Sequence, residues 1–205
     1  MDANMDTLNY IINKYHIDLE ARTKFDLPGG RGKGGLTSLW HELGFKVGAE
    51  IGVESGRYSR SICATNPGVK LYLVDPWEVY PGYREHVGQD HLDILYNDTI
   101  ARTKQYNCEV VREFSMDAAK NFEDESLDFV YIDANHDYKH VTEDITEWSK
   151  KVRRGGIVSG HDYKISKVGA VNNTIDAVNN YIAAHNIKPW FVWVGDTAPS
   201  WMWVK

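Results

Sequence analysis

The feature that most constrains this chain is a pair of strand-like apolar runs, residues 127–133 (LDFVYID) and 156–162 (GIVSGHD), each closed by an aspartate. Between them lies a helix-period stripe, Val141, Ile145, Trp148 and Val152, with Glu143, Glu147 and Lys150 off it, and then a turn expected at Gly155-Gly156. Strand, crossover helix and strand in this order make a right-handed βαβ unit with parallel strands. Open α/β sheets built from such units gather ligands at the carboxyl ends of their strands. Two acids brought to one such edge, Asp133 and Asp162, mark a reaction site or a divalent cation site.

The same rhythm runs through most of the chain. Strands are predicted at 47–53, 71–76, 108–114, 127–133 and 156–160, and helices near 58–65, 91–105, 116–122 and 138–152. After the fifth strand, Val168, Val171, Ile175, Val178 and Ile182 repeat a helical stripe. Upstream, Leu8, Ile11, Ile12 and Tyr15 give a first helix over 5–19, followed by a glycine-rich stretch at 27–35, read as a mobile loop, and a short helix at 36–43. The tail holds two strands, 190–194 and 200–204, joined through Gly195-Asp196. A connection that short requires antiparallel pairing, because parallel neighbours need a crossover of about a dozen residues or more. The expectation is an α/β fold, a Rossmann-like three-layer sandwich whose seven-stranded, mostly parallel sheet ends in an antiparallel hairpin.

With 205 residues the chain suits one domain, 1–205, made of an N-terminal helical and lid extension (1–44) and a core (45–205). A net charge of -6 argues against nucleic acid or an anionic membrane surface as partner. No apolar run approaches the roughly 20 residues of a membrane span, and the acidic start (MDANMDTLNY) lacks the features of a signal peptide. The two cysteines, Cys63 and Cys108, fit a reduced cytoplasm and read as buried thiols rather than a disulfide. Trp190, Trp193, Trp201 and Trp203 alternate in the final hairpin, which points to sheet core or a homodimer contact.

After the first core strand, residues 47–58 (VGAEIGVESGRY) form a strand–glycine–helix turn. It lacks the G-x-G-x-x-G spacing of a nicotinamide site, and Glu50 beside the turn suits a cationic ligand better than a pyrophosphate. About 20 residues on, where a ribose-binding acid is expected, the next strand ends at Asp75. In 28–35, Gly32-Lys33 is followed by Gly34 where a phosphate loop requires Ser or Thr, so this stretch is read as a lid over the cofactor. The aromatic segment 77–90 is expected to shape an acceptor pocket.

On AEIGVESG (49–56) and LYLVDPW (71–77) the chain resembles the class I S-adenosylmethionine-dependent methyltransferases, and the terminal hairpin agrees. The resemblance implies S-adenosyl-L-methionine as cofactor. Glu50 and Gly52 would lie by its amino-acid part, Gly56 and Tyr58 beside them, Asp75 at its ribose with Trp77 following, and Ser115, Met116 and Asp117 by the adenine. The stretches DANHDY (133–138) and GHDY (160–163), with Asp144 and Trp148, are similar to the small-molecule O-methyltransferase branch that includes macrocin-type and catechol-type enzymes. That branch often binds Mg2+ or another divalent cation. By position Asp133 and Asp162 would be ligands, and His161 stands where relatives carry an oxygen ligand, which departs from magnesium's preference. Asp133 would also border the cofactor. His136 is the candidate general base for a hydroxyl that attacks a methyl group. Asp137 and Asp144 read as helix-start and surface charges. The rivals are a metal-independent N- or O-methyltransferase, a non-catalytic S-adenosylmethionine-binding module and, disfavoured by the glycine spacing, a nicotinamide oxidoreductase.

Overall fold

The computed structural model describes residues 6–81, 87–165 and 172–205. In chain order the elements are α1 (Thr7–Tyr15), β1 (Lys24–Leu27), α2 (Leu36–Glu42), β2 (Val47–Ile51), α3 (Arg57–Thr65), β3 (Lys70–Val74), α4 (Gln89–Thr103), β4 (Cys108–Val111) and α5 (Ser115–Ala118), which runs into a 3-10 turn at Ala119–Asn121. Then follow β5 (Leu127–Ile132), α6 (Tyr138–Lys151), β6 (Val152–Gly160), α7 (Thr174–Ala184), β7 (Trp190–Trp193) and β8 (Ser200–Val204). Val168 and Val171 of the sequence stripe lie outside the described residues, and α7 carries the rest of it, Val178 and Ile182 being buried.

Local chemistry sets the helix starts. Asp6 caps α1 by accepting from the Leu8 and Asn9 amides, and Asp137 caps α6 by accepting from the His140 amide. Each strand of the βαβ core points alternate side chains to opposite faces. On β5, Phe129 and Tyr131 join the core under α1 to α4, with Leu39, Trp40, Ile62 and Leu92. Val130 and Ile132 face the other way, into the core under α5 to α7, with Val141, Ile145, Trp148 and Val178. Two cores on the two faces of one sheet make the three-layer sandwich.

The sheet order is β1-β7-β8-β6-β5-β2-β3-β4. Strands β4, β3, β2, β5 and β6 pair in parallel, β8 runs antiparallel to both β6 and β7, and β7 pairs in parallel with β1. The sheet therefore has eight strands rather than seven. The addition is β1, a short edge strand that the sequence hides because its four residues are too few to show a period. The Gly155-Gly156 pair sits inside β6, where the β5–β6 register shifts, instead of forming a turn before it.

The four hairpin tryptophans are buried inside the sandwich, Trp193 on one face and Trp190, Trp201 and Trp203 on the other. Cys63 and Cys108 are free thiols with their sulfurs 3.5 Å apart. Asp144 is buried and accepts a hydrogen bond from Ser115, so the surface reading of that acid is corrected. Among the described residues no helix is long and apolar enough to cross a membrane.

Trp40 stacks on Phe129 with centroids 4.0 Å apart, and its indole nitrogen has no hydrogen-bond partner. Replacing Trp40 with Ala is expected to cost about 3–5 kcal/mol of unfolding free energy in urea. Trp40→Phe should cost less than half of that, because it keeps an aromatic plane on Phe129 and forfeits no hydrogen bond.

Candidate active site

Five parallel strands, β2 to β6, end at one edge, and the turns that follow them build the site. After β2 the chain must bend sharply at Gly52, whose φ is +84°. A Cβ there would lie 2.3 Å from the Asp133 carbonyl oxygen and 2.6 Å from Ala134 Cα, so only glycine lets the ends of β2 and β5 come together. The approach is locked by the Asp133 amide donating to Ile51 O (2.7 Å) and the Gly52 amide to Val74 O (2.9 Å).

Asp75, after β3, organises the same turn. Its Oδ2 accepts from the amides of Val53 (2.9 Å) and Glu54 (3.0 Å), and its Oδ1 from the amide of Trp77 (2.8 Å). Glu54 and Trp77 both adopt positive φ, 57° and 44°, a conformation that costs free energy in non-glycine residues and gathers at functional sites. The buried Trp77 indole donates to Glu54 O at 2.7 Å, closing the turn from the other side.

A cleft opens between these turns. Gly52, Glu54, Asp75, Trp77, Glu78 and Tyr80 line it from one side, Leu92 and Leu95 of α4 form an apolar wall, and Ser115, Asp133, Ala134 and Asn135 close it. Its lining is acidic, aromatic and aliphatic, with no lysine or arginine among the described residues. Of the cofactor candidates, Gly52, Asp75, Trp77, Ser115 and Asp133 meet here. The others stand elsewhere. Glu50 is buried behind the turn and accepts a hydrogen bond from Ser59. Gly56 packs on Thr99, Tyr58 is buried beneath Arg31, Met116 lines a separate groove with Lys120 and Thr142, and Asp117 is exposed and paired with Lys120. Of 77–90, residues Trp77, Glu78 and Tyr80 line the cleft, while 82–86 lie outside the described residues.

Beside the cleft, β5 and β6 deliver the acid cluster. His136 Nε2 lies 3.4 Å from Asp133 Oδ1 and 3.2 Å from Asp162 Oδ2. One ligand atom from each of Asp133, His136 and Asp162 falls within 4.8 Å of the others. His161 Nδ1 approaches the outer oxygens instead, 3.3 Å from Asp133 Oδ2 and 3.8 Å from Asp162 Oδ1. Asp162 holds a positive φ of 56°; its Oδ1 is buried without a regular hydrogen bond, although Lys164 Nζ lies 2.7 Å away as an ion pair.

Burial would raise Asp133, but hydrogen bonds from His136 and His161 and the charges of His161 and Arg31 bring it down to about 2. Burial would lower His136, yet hydrogen bonding to Asp133 and the charges of Asp162 and Asp133 outweigh it and raise the imidazole.

Arg31 was hidden in the sequence. The stretch 28–35 does not line the cleft; it sends Arg31 to the acid cluster, with Nη1 2.9 Å from Asp133 Oδ2 and the guanidinium 4.8 Å from the Tyr58 ring centroid.

An open sheet in this order, with a reversed β8 and a phosphate-averse cleft at its carboxyl edge, is the class I methyltransferase fold. The chain belongs to a methyltransferase domain family, whose model matches residues 49–163, more than half its length. Solved structures agree in fold. The O-methyltransferase TomG of Streptomyces achromogenes, involved in tomaymycin synthesis and crystallised with S-adenosylmethionine, matches with TM-score 0.59 at 14% identity, covering 100% of this chain and 91% of that one. An O-methyltransferase of Bacillus cereus in complex with S-adenosylhomocysteine gives 0.58 at 18% identity, covering 100% and 93%. An O-methyltransferase family protein of Burkholderia thailandensis gives 0.59 at 15%, covering 83% and 55%. In sequence, the chain is 24% identical over 126 residues to the protein y4gI of Sinorhizobium fredii (strain NBRC 101917 / NGR234), spanning 60% of this chain and only 13% of that relative.

Burial pushes the Glu50 carboxyl up from 4.5 to about 8, against the hydrogen bond from Ser59, and the nearby Asp133 charge adds to the rise. The folded chain therefore holds a proton that the unfolded chain releases between these values, and stability falls as pH rises through that window. Wild type should lose on the order of 3–5 kcal/mol more than Glu50→Gln between pH 4.5 and 8, read from urea midpoints across that range.

Proposed function

We propose that this chain transfers a methyl group from S-adenosylmethionine to a hydroxyl of a small molecule, with a divalent cation held by Asp133, His136 and Asp162. The observation that carries the reading is the juxtaposition of a cleft lined with acids and aromatic rings and a three-ligand cluster that share Asp133. A sulfonium is cationic and brings no phosphate, so acids and aromatic faces suit it where a cationic cradle would not.

S-adenosylmethionine, when bound, supplies an electrophilic methyl on cationic sulfur. The Gly52–Glu54 turn would hold its amino-acid end, Asp75 would receive the ribose hydroxyls, and Trp77 and Ser115 would flank the base. Asp75 is pre-oriented for this by its three backbone amides. Tyr80 and Asn135, whose Nδ2 donates to the Tyr80 hydroxyl at 3.3 Å, border the cleft on the acid-cluster side and would orient the acceptor. Positioning the hydroxyl in line with the methyl is the main contribution such a site can make.

The donor set fits a divalent cation: two carboxylates and one imidazole on mutually close atoms, with one of the acids, Asp162, held at positive φ. The imidazole shifts the preference from magnesium toward manganese, iron or zinc. A cation there would lower the pKa of the acceptor hydroxyl. His161, on the outer oxygens, would orient Asp133 rather than ligate. His136 presents a single nitrogen, Nε2, to both carboxylates. That nitrogen serves as ligand or as base, not both.

A second reading follows from Arg31 and Lys164, whose charges already balance Asp133 and Asp162. Without a metal, Asp133 and His136 would act as an acid–imidazole pair, with His136 taking the acceptor proton.

The test is methyl transfer from labelled S-adenosylmethionine across a panel of phenols, catechols and sugar hydroxyls, with and without chelator. The metal reading expects chelation and Asp162→Ala each to lower turnover by about 100-fold or more, with manganese restoring only the chelated wild type. Undiminished turnover in chelator establishes the second reading. Asp75→Ala should weaken S-adenosylhomocysteine binding by about 10- to 100-fold in calorimetry. Unchanged binding would remove the assignment of the cleft.

A further inference from the structure

We propose that Arg31 is a fixed internal cation that opposes a divalent metal at Asp133, so that the glycine-rich stretch sets how tightly the acid cluster holds metal. The proposal rests on the metal reading above. The two carboxylates of the cluster are matched by two side-chain cations, Arg31 on Asp133 and Lys164 on Asp162. These cations are not equivalent. Lys164 has a flexible stem with 43% of its side chain exposed and can swing into solvent when a metal takes Asp162.

Arg31 is pinned. Its backbone amide donates to Asp196 Oδ2 at 2.7 Å, and its carbonyl oxygen accepts from the Tyr58 hydroxyl at 2.9 Å. The loop around it is built to keep that position. The Asp196 carboxylate fills the space where a Cβ on Gly30 would stand, and the Gly195 amide donates to Gly29 O at 2.8 Å. The guanidinium lies against the Tyr58 ring, a cation–π contact that adds to its hold. A metal on the inner oxygen of Asp133 would therefore face a cation on the outer oxygen of the same carboxylate. Like charges on the two oxygens of one half-buried carboxylate repel, less strongly than in a dry interior but more than in bulk water.

The opposite role is also physical: a partner on the outer oxygen can orient a ligand and strengthen metal binding. Here His161 Nδ1, at 3.3 Å from the same oxygen, supplies that orientation whether or not Arg31 is present. What Arg31 adds is charge.

The experiment is Mn2+ titration of the full chain, read as free-ion signal by electron paramagnetic resonance and as the metal-induced shift in melting temperature. Arg31→Met should bind Mn2+ about tenfold more tightly than wild type, or bind it where wild type does not. Arg31→Lys, which keeps the charge, should stay within about threefold of wild type. Asp196→Ala, which frees the loop backbone but leaves the guanidinium in place, should tighten binding to a smaller degree, and it carries the test if Arg31→Met fails to fold. Equal or weaker binding by Arg31→Met, or by Asp196→Ala in its stead, overturns the proposal. If Asp133→Asn abolishes binding while Arg31→Met leaves it unchanged, the proposal falls and the metal reading stands. If neither wild type nor Arg31→Met binds Mn2+, both fall together.

Discussion

The ends of β2 and β5 touch at a point where a side chain cannot fit: Gly52 lies against the carbonyl of Asp133 and the Cα of Ala134. Everything at the carboxyl edge depends on that contact. It turns the chain after β2 so that the amides of Val53 and Glu54 reach Asp75, and it fixes where β5 ends, which places Asp133 between the cleft and the acid cluster. The cleft and the cluster are thus two sides of one backbone junction. A shift of β5 along β2 would move both.

Much of this architecture was legible before the structure. The stripe on α6, the strand–glycine–helix turn and the two aspartate-terminated strands carry their own periodicity, and a βαβ rhythm leaves few topologies open. Gly52, Asp75 and Asp133 meet in the cleft because each directly follows a strand end, a position that sequence pattern marks, and Trp77 and Ser115 lie in the turns just beyond. Glu50 is displaced from it by alternation: its neighbour Ile51 lines the cleft, while Glu50 points to the opposite face of β2, toward Ser59. Met116 and Asp117 are likewise turned away by the helical twist of α5.

What stayed hidden was tertiary in origin. β1 has only the four residues Lys24–Leu27, and its strand character comes from β7, which it meets far away in sequence. Asp144 looks like a charge on a helix, yet its partner Ser115 sits 29 residues earlier, and its burial raises the carboxyl to about 7. Arg31 lies in a run of glycines that reads as loop. No local pattern reveals that Asp196 and Tyr58 hold it there.

The pairing of β1 with β7 ties the two ends of the chain to one sheet edge. The family match, residues 49–163, takes in the cleft turns and Asp133, His136, His161 and Asp162, but not Arg31, Asp196, β1, β7 or β8. The contact between Arg31 and Asp196 closes a span of 165 residues. The acids and histidines of the cluster lie within one stretch of the chain, residues 133–162, whereas their arginine is held by a contact between distant parts of the chain. A change in the hairpin turn at Asp196 therefore reaches the cluster through Arg31, although no described residue of that turn touches the carboxylates.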